Sequence, residues 1–133
     1  MNTEETPKRA VSIDTCTGRL DMLHPNQLYV VVRVWLPEGA PAECISAEWK
    51  DGQEPSICNL SPSEVVDLIA KKFAREHRAS EKQMATIGWC RTNCVMLDKM
   101  WAQAEIERAK LIITGAQQRI AELTETYIET EED

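Results

Sequence analysis

"LYVVVRVWL", residues 28–36, decides the class of fold. Leu28, Val30, Val32, Val34 and Leu36 recur at a period of two, so a pleated strand would turn all five to one side. Tyr29, Val31, Arg33 and Trp35 fall on the opposite side. The four valines are β-branched and fit a half-buried pleat. The first face is therefore expected to be core, and the second, with Trp35 beside Arg33, to be partly covered. A stretch of nine residues with an arginine inside it is too short to cross a bilayer as a helix, which takes about 20 apolar residues.

On the N-terminal side, "VSIDTC" (11–16) alternates weakly through Val11 and Ile13 and predicts an edge strand. On the C-terminal side, "PEGAPA" (37–42) is dense in turn formers. "CISAEWK" (44–50) then alternates again, with Ile45, Ala47 and Trp49 on one face, and "DGQEP" (51–55) closes it. The front half predicts a small antiparallel sheet of two or three strands.

"LSPSEVVDLIAKKFAREH" (60–77) opens a helix with a legible start. Ser61 fits the N-cap, Pro62 the first helical position, and Glu64 the third, which makes a capping box. Val65, Val66, Ile69 and Phe73 form an apolar stripe suited to the valine face of the sheet, and Lys71, Lys72, Arg75 and Arg78 gather where the helix dipole favours cations. Ser80 and Gln83 offer a second capping box.

From Glu81 to Tyr127 there is no proline. Apolar or small residues recur mostly every three or four positions, from Ile87, Cys90, Cys94, Leu97 and Trp101 on to Ile112, Ile120, Leu123 and Tyr127. Trp89, Met96 and Met100 make a second, parallel stripe. An unbroken helix here would be roughly 70 Å long. A compact domain of this size has a radius of gyration near 14 Å, on the order of a fifth of that length. Such a helix cannot hide its stripe in its own domain: either it folds back near Gly115 or another chain covers it, and the lack of turn chemistry at "IITGAQQ" beyond that glycine favours a second copy. The stripe drawn through Ile112 drifts from a strict heptad after Ala104, so helices that cross or splay are expected rather than a long ideal coiled coil.

The expected fold is thus α+β: a small antiparallel sheet packed by a capped helix, followed by one very long C-terminal helix. The expected organisation is a flexible tail over 1–10, an α+β core over 11–80, a dimerisation helix over 81–127 and an acidic disordered tail over 128–133.

Three kinds of chemistry can be weighed on particular residues. Cys90 and Cys94 share a helical face, and with Cys58 and His77 they could supply the four ligands zinc wants. The gaps are irregular, however, and free cysteines are more often small core residues. For catalysis, His24 and His77 lack an orienting carboxylate or amide, and the chain has neither a G-x-S-x-G elbow nor a phosphate-cradling glycine loop. No catalytic residue and no cofactor is expected. "KQMATIGWCRTN" (82–93), within a segment spanning 61–97, resembles the alanine–glycine–turn–polar-helix run of helix-turn-helix regulators. That resemblance implies base contacts from Arg91, Thr92 and Asn93, with Lys71 and Lys72 nearby. Two residues separate Ala85 from Gly88 where the motif has three, and Gln83 stands at a position usually apolar.

Charge and composition point to a binding role. Fifteen basic and 22 acidic residues give a net charge of −7, which opposes non-specific binding to nucleic acid or anionic lipid. The basic excess lies at 61–100, with seven basic and five acidic residues, while 101–133 holds three and eight. Five cysteines without a preceding apolar leader predict free thiols in a reducing cytoplasm. The expected function is a non-catalytic protein-binding module. It would be a small acidic homodimer that engages or inhibits another macromolecule, such as a basic nucleic-acid-handling complex. Phage and mobile-element accessory proteins, including defence inhibitors, are often of this size and charge. Trp89, Leu97, Trp101, Ile112, Ile120, Leu123 and Tyr127, drawn from these stripes, are the expected interface residues, because tryptophan and methionine are enriched at such surfaces.

Overall fold

The computed structural model describes residues 10–19 and 26–129. His24, and the tails expected over 1–10 and 128–133 apart from Ala10, Ile128 and Glu129, lie outside the described residues. The chain divides into two compact units, Met1–Trp101 and Ala102–Asp133.

The first unit opens with three strands, β1 (Ser12–Gly18), β2 (Tyr29–Trp35) and β3 (Cys44–Lys50). They form one antiparallel sheet in the order β1-β2-β3. The register sets Ile13 opposite Val34 and Val34 opposite Ile45, and likewise Thr17 opposite Val30 and Val30 opposite Trp49. Val30, Val32, Val34, Ile45, Ala47 and Trp49 consequently share one face, and all are buried. Leu36, just past β2, is buried too, and its N–H donates to the Glu43 carbonyl at 2.8 Å to hold the β2–β3 connection. Leu28 departs from the expected core face, being 41% exposed. It stands one residue before the strand, where its carbonyl accepts from Asp51 N–H at 3.0 Å.

Helix α1 (Pro62–Glu76) lies against β2 and β3. It buries Val65, Val66, Ile69 and Phe73, as its stripe predicts. Burial of each such side chain stabilises by about 1.5–3 kcal/mol. The Ser61–Glu64 capping box is formed, with Ser61 N–H donating to Glu64 Oε1 at 2.8 Å. His77 ends the helix in the left-handed region, at φ 52°, and its N–H returns to the Phe73 carbonyl. Helix α2 (Glu81–Thr92) starts at the second capping box, where Ser80 N–H meets Gln83 Oε1 at 2.8 Å and Gln83 N–H meets Ser80 Oγ at 3.1 Å. α2 packs on α1 and adds Thr86, Ile87 and Cys90 to the buried set.

The helical stretch expected to run unbroken from Glu81 to Tyr127 is interrupted at Asn93. Both the backbone N–H and the side-chain Nδ2 of Asn93 donate to the Trp89 carbonyl, at 3.0 and 2.8 Å. The Asn93 backbone departs from helical geometry, at φ −110° and ψ 24°, a local break that apolar periodicity does not register. Helix α3 (Cys94–Leu123) follows, then a π-helical turn, Thr124–Ile128. The first turns of α3 belong to the first unit and place Leu97 at 0% exposure in its core. Among the described residues no helix is long and apolar enough to cross a membrane.

Candidate interaction surfaces

The residues expected to form one continuous stripe separate into two groups. Ile87, Cys90 and Leu97 are covered by the first unit's own sheet and helices. Trp89, Met100 and Trp101 pack half-buried against that same cluster. Leu97 is thus a core residue, and Trp89 and Trp101 lean on the core with part of each ring accessible. The other group belongs to the second unit. Ile112, Ile120, Leu123 and Tyr127 are exposed or nearly so, and no described residue from 102 to 129 is buried. Ile106, Ile113 and Ile128, which the expected interface leaves out, are exposed as well.

A second surface is the outer face of the sheet. Asp14 on β1 stands opposite Arg33 on β2, and the antiparallel register brings their side chains together. Arg33 Nε donates to Asp14 Oδ1 at 2.7 Å and Nη2 to Oδ2 at 3.2 Å, a bidentate pair. Trp35 Nε1 donates to the same Oδ2 at 2.9 Å, and the Arg33 guanidinium sits 5.2 Å from the centre of the Trp35 ring. The hydrogen bond from Arg33 holds the Asp14 carboxyl below its ordinary range, against the opposing effect of burial and with further help from Trp35. Arginine, tryptophan and Tyr29 on one strand form the kind of group that anchors protein interfaces. The sequence places Arg33 and Trp35 on this face but does not show that Asp14 locks them.

The zinc set is not assembled. Cys90 is buried and its thiol is pushed up to about 11 by desolvation, Cys58 is exposed, and the His77 backbone forms the cap of α1. Among the described residues no three His, Cys, Asp or Glu side chains group as a metal site. Periodicity puts Cys90 and Cys94 on one helical face, yet the interruption at Asn93 falls between them.

The helix-turn-helix resemblance places its turn at Gly88, which lies inside α2. The actual connection runs over residues 77–80. Arg91, Thr92 and Asn93 sit at the C-terminal end of α2, whereas a recognition helix reads bases from its N-terminal residues. Arg91 Nε is 3.6 Å from Asp67 of α1, and Lys72 pairs with Glu76 at 2.7 Å and lies over the Trp49 ring. Lys71 is exposed. An open groove of about 380 Å³ runs between α1 and α2, lined by Phe73, His77, Arg78, Met84, Ile87 and Arg91.

No family model, curated protein or solved structure matches the chain.

Proposed function

We propose that this protein is a non-catalytic protein-binding module that acts as a homodimer. The second unit joins two copies, and the α+β unit presents its surface to another protein. One observation carries the reading: Ile106, Ile113, Ile120 and Leu123 lie on one side of α3 in a unit with no buried residue among those described. Helices in proteins gain most of their stability from packing an apolar face. The net charge of −7 favours a basic protein surface over nucleic acid as the further partner. A role in blocking a basic nucleic-acid-handling machine follows naturally from that charge.

Light scattering of the full chain at micromolar concentration tests the dimer. The expected mass is twice the 15.1 kDa of one chain. Ile113→Asp with Ile120→Asp should return it to the monomer with the sheet and α1 still folded. A wild-type monomer would remove the reading.

A further inference from the structure

We infer that residues 102–123 pair with a second copy of this chain as an antiparallel two-stranded coil, whose twofold axis passes between Lys110 and Ile112. The inference rests on the homodimer reading and supplies its geometry.

The first argument is period. The stripe drawn through Ile112 drifts, but the one drawn through Ile113 does not. Ile106, Ile113 and Ile120 are spaced by seven, and so are Ala102, Ala109, Ala116 and Leu123. Together they advance by alternating steps of four and three, the heptad seam of a left-handed coil. The regular period ends in the π-helical turn Thr124–Ile128.

The second argument is size. The seam alternates a large isoleucine with a small alanine. A parallel pair in register would stack isoleucine on isoleucine and alanine on alanine, giving layers alternately wide and hollow. An antiparallel pair sets one position of the heptad against the other. Ile106 then faces Ala116 of the second copy, Ala109 faces Ile113, and Ala102 faces Ile120. Every layer holds one large and one small side chain, so the helices approach evenly and leave no voids.

The third argument is charge. In that register Glu105 flanks the seam opposite Arg119 of the second copy, and the twofold axis repeats the pair. Within one chain, Glu105 pairs with Arg108 and Arg119 lies 3.9 Å from Glu122, all of them exposed. Exposed pairs of this kind are worth little and exchange readily. The same register brings Ile112, 67% exposed, against its own symmetry mate. Lys110 also meets its mate, and its long stem can splay into solvent.

Cysteine pairing tests the orientation on the full chain. Ile106→Cys and Ala116→Cys proteins are prepared separately, mixed, allowed to exchange and oxidised, and the linked peptides are read by mass spectrometry. The expected product is a disulfide between positions 106 and 116, with neither variant linking to itself through its new thiol. Self-links at 106 and at 116 would establish a parallel pair and overturn the inference while leaving the dimer standing. A dimer with none of these links would place the contact elsewhere and overturn it as well. A wild-type monomer by light scattering would instead remove the homodimer reading itself. As a check without cysteine, Glu105→Arg should raise the dimer Kd about fivefold, and adding Arg119→Glu should restore it. Loss without restoration counts against the pairing.

Discussion

Asp98 of α3 holds both the backbone N–H and the hydroxyl of Ser63, at 2.9 and 2.6 Å, and so closes the N-terminus of α1. With this contact the first turn of that helix is fully satisfied. Pro62 has no N–H, Ser63 is taken by Asp98, Glu64 N–H reaches Ser61 Oγ at 3.4 Å, and Val65 N–H reaches the Ser61 carbonyl at 3.0 Å. A carboxylate at this end also suits the helix dipole. The contact links residues thirty-five apart in sequence and fixes the start of α3 to the sheet-bound helix.

Asp98→Ala should therefore lower stability by about 1–2 kcal/mol, the usual cost of losing a cap together with a charge-assisted hydrogen bond. Asp98→Asn should lose less, because its amide oxygen can still accept from Ser63. Urea unfolding followed by tryptophan fluorescence reads both. A pair of variants no less stable than wild type would mean that water replaces the carboxylate without loss.

How much of this was legible in the sequence depends on the range of the cause. The capping boxes at Ser61 and Ser80 are encoded within four residues, and both are formed. The valine face of β2 follows from a period of two and is buried as expected, apart from Leu28 at its margin. Asn93 is a different case. Its departure from helical φ and ψ is confined to one residue, and no apolar pattern reports it. The Asp98–Ser63 and Asp14–Arg33 contacts depend on tertiary placement and cross-strand register, so they too are invisible along the chain. The expected interface spans both units for the same reason: one helical period runs through Leu97 and Ile120, although only Leu97 has a core to enter.

Asp14 gives a pH signature. Its folded carboxyl titrates below the ordinary value, first through the hydrogen bond from Arg33. A depressed folded value means that the ionised form stabilises the fold at pH 7. That contribution is complete above the unfolded value, near 3.8, and is lost as pH falls through it and past the folded one. Because both partners are partly exposed, with 32% and 42% of their side-chain surfaces accessible, solvent screening keeps the contribution under about 1 kcal/mol. Asp14→Asn should melt slightly below wild type at pH 7, and the gap should narrow as pH falls below 3.8. A gap independent of pH would show that the pair acts through shape and not through charge.

Thiol labelling separates the cysteines by environment. Cys16 and Cys58 are exposed, while Cys90 is buried with its thiol pushed up to about 11 by desolvation. The thiolate is the reactive form, so Cys90 is doubly protected. Iodoacetamide at pH 8 should modify Cys16 and Cys58 within minutes and leave Cys90 untouched until denaturant is added. Peptide mass mapping over a time course reads this directly. Early modification of Cys90 would show that α2 opens readily from the core.

Leu97 and Val95 are two residues apart on α3 and differ in consequence. Leu97 is at 0% exposure within the cluster that includes Ile69, Val34 and Cys90, whereas Val95 is 79% exposed. Leu97→Ala removes buried methyl groups and leaves a cavity, at a cost of about 2–5 kcal/mol. Val95→Ala removes nothing from the interior, and alanine is the better helix former, so its effect should stay within about 0.5 kcal/mol. Thermal melts of the two variants beside wild type make the comparison. A large loss at Leu97 with none at Val95 places the start of α3 inside the first cooperative unit. Equal, small effects would mean that α3 frays from the sheet domain before the core unfolds.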